Sequence, residues 1–237
     1  MMDTKVWVQI IFDAPSVSEG WKAIFGRLAE LALSSSSPVE LHNHTIAPDR
    51  LLAESAWELW TAYQSEAPKT ADALKRWCPE PSPAGRAVLV LDAFSLRELP
   101  LLLGGAEDRG IKPVDVRVTG SEVSWDGFWK FVDRLRQGHK LVITADHGYA
   151  VSRLFSSEEM DPDVIETLRS TFGASRYKKP GEPWHNRFMP PLVTTENGYH
   201  VIMGQRKWKV QGGFPHITHG GLSLLEVAVP FVELPLL

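Results

Sequence analysis

The sequence predicts an α/β fold with a mostly parallel central sheet flanked by helices. Three observations carry this. Ala87-Val88-Leu89-Val90-Leu91 is an unbroken apolar run that stops at Asp92. Leu141-Val142-Ile143-Thr144 repeats the pattern and runs into Ala145-Asp146-His147. Unbroken runs suit strands covered on both faces, as in a parallel sheet. Helical patterns follow the first run at 96–104 and precede the second at 126–136, as alternating strands and helices require.

Taken in order, Val6-Trp7-Val8-Gln9-Ile10-Ile11-Phe12 is rich in β-formers and ends at Asp13-Ala14-Pro15. It predicts a buried strand, added to the same sheet or to a small side sheet. Ser16 or Ser18 is placed to cap a helix carrying Trp21, Ile24, Phe25, Leu28 and Leu31 at helical spacing. Residues 34–38 hold four serines and read as a loop. Helices are expected at 51–63 and 71–77, with Trp57, Trp60 and Trp77 in the core. Pro79, Pro81 and Pro83 make a stiff, extended connector. It divides an N-terminal α/β extension, 1–80, from a main domain, 86–237. Residues 199–203 and 207–210 suggest a hairpin around Gly204-Gln205. Residues 224–234 suggest a final strand, with Pro230 arguing for an edge position or a bulge.

The composition, 43% hydrophobic and 23% charged, is that of a globular protein rather than a disordered one. A net charge of −4 offers no bulk basic field for a nucleic acid, so contact with a polyanion would be local. Cys78 is the sole cysteine, which excludes an internal disulfide and suits a reducing cytoplasm. No apolar stretch approaches the roughly 18 residues of a membrane span, and the first residues do not read as a signal peptide. The expectation is a cytoplasmic, water-soluble protein.

Ligands of open α/β sheets bind beyond the carboxyl ends of the strands. Asp92 and Asp146-His147 therefore face one crevice. Carboxylate oxygens with an imidazole nitrogen make a good ligand set for zinc, manganese or similar ions. Gly148 allows a sharp turn after them. The plainer alternative is that an aspartate after a strand caps the next helix. His42 and His44 alternate around Asn43 in what reads as a solvated loop. His185, beside Trp184 and near Arg176-Tyr177-Lys178-Lys179, could meet an anion or could decorate a long surface loop.

The segments Val88-Leu89-Val90-Leu91-Asp92-Ala93, Ile143-Thr144-Ala145-Asp146-His147-Gly148-Tyr149 and Thr218-His219-Gly220-Gly221-Leu222-Ser223-Leu224-Leu225-Glu226-Val227-Ala228-Val229-Pro230 resemble, in order and spacing, the signature segments of the PglZ domain. PglZ domains are part of the alkaline phosphatase superfamily and occur beside bacterial phage-defence genes. The resemblance spans 86–232. It implies Asp92, Asp146 and His147 as ligands of one divalent ion, zinc or manganese, and His219 as a ligand of a second. It implies that Gly220-Gly221 lets the backbone pack tightly behind His219. It further implies a metal-dependent phosphoesterase acting on a phosphodiester or nucleotide, working with other phage-defence proteins. The family's nucleophile is a hydroxyl after the first helix, for which Thr119 and Ser124 are the candidates, with Ser121 beside them. Here the sequence departs from the pattern. Gly120-Ser121-Glu122-Val123-Ser124 runs directly into Trp125-Asp126, without the expected threonine. Asp126, Asp133 and His139 are weak candidates to complete a second ion site. The departure supports an alternative, a catalytically degenerate PglZ-like scaffold or binding subunit of a defence complex.

Overall fold

A computed structural model describes residues 2–82, 85–117, 132–135, 137–151, 161–179, 181, 184, 185, 187–196, 198–211, 213 and 217–236. The chain forms two compact units, each assembled from three stretches. The first unit comprises Met1–Trp21, His44–Ala67 and Tyr149–Val227; the second comprises Lys22–Asn43, Pro68–Gly148 and Ala228–Leu237. The helices whose bounds lie among the described residues are α1 (Met2–Phe12), α2 (Val17–Ser34), α3 (Pro38–Glu54), α4 (Glu58–Thr61), α5 (Tyr63–Glu66), α6 (Thr70–Trp77), α7 (Leu99–Glu107), α8 (Pro162–Phe172) and α9 (Leu224–Val227), and residues 132–135 are helical as well. The strands are β1 (Arg86–Leu91), β2 (Asp115–Arg117), β3 (Lys140–Ala145), β4 (Ala150–Val151), β5 (Tyr177–Lys178), β6 (Val193–Glu196), β7 (Tyr199–Ile202), β8 (Ile217–Thr218) and β9 (Phe231–Leu234).

The second unit holds a sheet of order β1-β3-β9-β2. Both apolar runs are strands, and β1 pairs with β3 in parallel, Leu91 opposite Ala145. The sheet is mixed rather than mostly parallel, because β9 runs antiparallel to both β3 and β2. β3 is inner and fully buried from Leu141 to Ala145. β1 is an edge among the described residues, not central, and Val88 and Val90 are exposed. Its apolar run reflects β-propensity on a half-covered strand, not cover on both faces. Val142 and Phe231 pack on Trp77 of α6, with Ala73 and Leu74 around them. The Arg86 guanidinium lies 4.4 Å from the Trp77 ring centroid, a cation–π contact over the sheet's edge strand.

The end of the chain differs from the single strand expected at 224–234. Residues 224–227 are helical, and the strand starts at Phe231, immediately after Pro230. Proline lacks an N–H, so it is tolerated just ahead of a strand that lies inside the sheet. Its carbonyl accepts the buried Thr144 Oγ1 hydrogen bond at 3.2 Å.

In the first unit, α8 packs Leu168 and Phe172 against Val193, Ile202 and Trp208. A three-stranded sheet, β5-β7-β6, carries this cluster. The hairpin is β6–β7, turning at Gly198 with φ 75°, not 199–203 against 207–210. Asn197-Gly198 is the turn signal, since the left-handed region favours glycine. Trp21, Trp60 and Tyr63 form a ring cluster with centroids 4.8 to 5.9 Å apart. Burial there pushes the Tyr63 hydroxyl well above its ordinary pKa.

The strand expected at 6–12 is instead helix α1. Trp7 is fully buried while Val6 and Phe12 are exposed, so the apolar run is sorted by a helical face. A run whose single polar residue is Gln9 does not choose between the two periods, and tertiary packing decides. Of the two serines, Ser16 caps α2, accepting from Glu19 N at 3.2 Å. Residues 51–63 are broken among the end of α3, α4 and the start of α5. No helix among the described residues is long and apolar enough to cross a membrane.

Candidate metal centre

Parallel pairing in register explains why Asp92 and Asp146 meet. Leu91 and Ala145 are Cα partners, and each aspartate is the next residue of its strand. The chain leaves β1 sharply, with Ala93 at φ 47°. That left-handed conformation costs a non-glycine residue on the order of 1 kcal/mol. It aims the Ala93 N–H at Asp146 Oδ1, at 3.2 Å. The His147 N–H donates to the same oxygen at 2.8 Å. Two backbone donors thus fix the Asp146 carboxylate and turn its Oδ2 toward His147.

The imidazole is oriented in the same way. His147 Nδ1 lies 2.9 Å from the Gly148 carbonyl oxygen, a contact that puts the ring proton on Nδ1. Nε2 then presents its lone pair 3.5 Å from Asp92 Oδ1 and 3.6 Å from Asp146 Oδ2. One ligand atom from each of the three residues lies within 4.8 Å of the others. Donors bound about 2.1 Å from one tetrahedral ion sit about 3.4 Å apart, so the two imidazole–carboxylate separations suit a shared ion. A histidine whose other nitrogen donates to a carbonyl is a regular feature of metal sites. The donor set therefore fits a divalent metal. The Asp92 side chain is 88% exposed and that of Asp146 50%, so solvent and a substrate can reach the cluster.

His219 belongs to the first unit, exposed on the loop after β8. The two glycines behind it are packed as tightly as the resemblance implies. Gly220 has φ 86°, and a Cβ there would strike the Tyr177 ring; one on Gly221 would strike the Arg176 guanidinium. That guanidinium is buried and pairs with Glu226, Nε to Oε1 at 2.8 Å and Nη2 to Oε2 at 2.9 Å. Glu226 also accepts from Gly221 N at 2.9 Å and from Ser223 Oγ at 2.6 Å. Arg176 donates further to the carbonyls of Gly204 and Arg206. Arg206 is brought down to about 10, mainly by burial, with Glu54 opposing the shift. This buried network holds the loop's backbone. Arg176 was legible only as part of a surface basic cluster, because its partner lies 50 residues away.

Of the remaining candidates, Thr119, Ser121, Ser124 and Asp126 lie outside the described residues. Asp133 is helical, and His139 is exposed in a turn with Nδ1 3.2 Å from the Gln137 carbonyl. His42 and His44 are inside α3, not in a loop. They stand two residues apart, and helical residues at that spacing do not face each other, so they do not form a pair for one ion.

Residues 121–234 match the family model described as the BREX system PglZ alkaline phosphatase-like domain. Asp146, His147 and His219 fall within the match, and Asp92 precedes it. Neither a curated protein nor a solved structure matches the chain.

Proposed function

We propose that this chain, whose residues 121–234 match the PglZ family model, is a metal-dependent phosphoesterase acting on a phosphodiester or nucleotide. The observation that carries the reading is the meeting of Asp92, Asp146 and His147 around one point. These three residues would hold one divalent ion, zinc or manganese, and His219 a second, as the family resemblance implies. The bound metal would supply Lewis acidity, drawing charge from the phosphoryl oxygens and activating a hydroxyl nucleophile. The chain's own part is orientation. The Ala93 and His147 amides fix one oxygen of Asp146, and the Gly148 carbonyl fixes the tautomer of His147. Thr119 and Ser124 are the proposed nucleophiles. The chain would work with other phage-defence proteins, in keeping with the family's description as part of a BREX system, and its place would be the cytoplasm.

The second reading, a scaffold that keeps the fold without turnover, is favoured by one feature. Glu122-Val123-Ser124 passes into Trp125-Asp126 with no threonine. Metal analysis and hydrolysis of bis-p-nitrophenyl phosphate with added zinc or manganese separate the two. The phosphoesterase reading expects turnover that Asp146→Asn abolishes together with bound metal. Bound metal without turnover supports the scaffold. Without metal uptake, the enzyme reading fails.

A further inference from the structure

The first unit carries an open groove of about 540 Å³, within the range of small-molecule sites. It is bounded by α8, by the segment after β5 and by His200 of β7. Its chemistry is one-sided. Lys178, His185 and Arg187 line it, and no carboxylate is among the described lining residues. The chain as a whole is acidic, with a net charge of −4, so a groove whose described lining residues include no carboxylate is not the average of its surface.

Two further features narrow the ligand. Thr167, Ser170 and Thr171 bring three hydroxyls to the groove from one helix. Spacings of three and four residues put them on one face of α8, while Leu168 and Phe172 enter the core. Trp184 and Phe188 supply aromatic surface to the same groove. The Trp184 ring is held in place, 6.0 Å from Phe172 and 6.1 Å from His200 by centroid. His200 is itself buried and anchored by Thr195 Oγ1, 3.0 Å from its Nδ1. A bare inorganic anion would use the cations and leave the aromatic wall idle. A ligand with a phosphate, a polyhydroxyl sugar and a flat ring would use all three features.

We propose that this groove is a nucleotide site. Lys178, His185 and Arg187 take the phosphate, the α8 hydroxyls meet the sugar, and Trp184 lies against the base. The inference stands apart from the metal reading, because its groups are other residues.

Calorimetric titration of the whole chain in EDTA tests it without metal. Adenosine 5′-monophosphate is expected to bind. Ribose 5-phosphate, lacking the base, and adenosine, lacking the phosphate, should each bind at least about tenfold more weakly. The double variant K178A/R187A should weaken the monophosphate by about ten- to a hundredfold, as expected for lost charged hydrogen bonds. Its circular dichroism should match the parent, and Trp184→Leu should weaken the monophosphate while leaving ribose 5-phosphate unchanged. Failure of the monophosphate to bind at millimolar concentration overturns the proposal. So does equal affinity for the monophosphate and inorganic phosphate, or binding that K178A/R187A leaves intact.

Discussion

His42 shows how a single side chain acquires its properties from partners far along the chain. Its Nδ1 lies 3.2 Å from the Arg97 guanidinium, which is buried, and it therefore accepts a hydrogen bond. Burial first, and the Arg97 charge second, bring its pKa down to about 4 from 6.5. Between these values the unfolded chain takes up a proton that the folded chain refuses. His42 therefore makes stability fall as pH drops from about 6.5 to about 4. Urea unfolding at pH 7 and pH 4.5 should show that loss, and His42→Gln, which keeps an acceptor for Arg97, should shrink it. An unchanged pH dependence in the variant would assign the effect to other groups. None of this was legible in sequence, where His42 read as a loop residue. Asp92, Asp146 and His147 were legible, because a parallel register carries the residues after two strands to one place.

At the scale of elements, local signals were read where they were strong and missed where a run had no period. The helix at 71–77 and the strands at 87–91 and 141–144 were expected and are present. Helix α3 was missed although its start is written out. Ser37 Oγ accepts from Glu40 N at 3.2 Å, Pro38 is the first helical residue, and the Glu40 carboxylate reaches back to Ser36. The sequence 37–40 carries the Ser-x-x-Glu pattern of a capping box, with the glutamate bound one residue upstream of the cap. The position of a strand in its sheet was not legible at all. Val142 of β3 is fully buried against Trp77 and Phe231, whereas Val90 of β1 is 54% exposed. Val142→Ala should cost about 2 kcal/mol through lost burial and a residual cavity. Val90→Ala should cost under about 0.5 kcal/mol. Denaturant midpoints measure both, and equal costs would contradict the edge position of β1.

At the scale of the whole molecule, a metal that binds the folded chain alone should stabilise it by mass action. Zinc at a hundredfold its dissociation constant contributes about 2.7 kcal/mol. For a chain of this size that is a rise of about 5–10 °C in the unfolding midpoint. Differential scanning fluorimetry should show the rise, EDTA should reverse it, and Asp146→Ala should abolish it. An equal rise in the variant would place the ion elsewhere. The sequence by itself determined the class of the protein. Two β-rich runs ending in aspartate, an Asp-His-Gly turn and a His-Gly-Gly turn are local patterns, and local patterns survive without coordinates. Tertiary structure alone decided that α1 is a helix, that β9 reverses direction beside β3, and that Arg176 is buried against Glu226. Each of those outcomes depends on which distant surface covers an apolar run or neutralises a charge, and spacing along a chain does not carry that information.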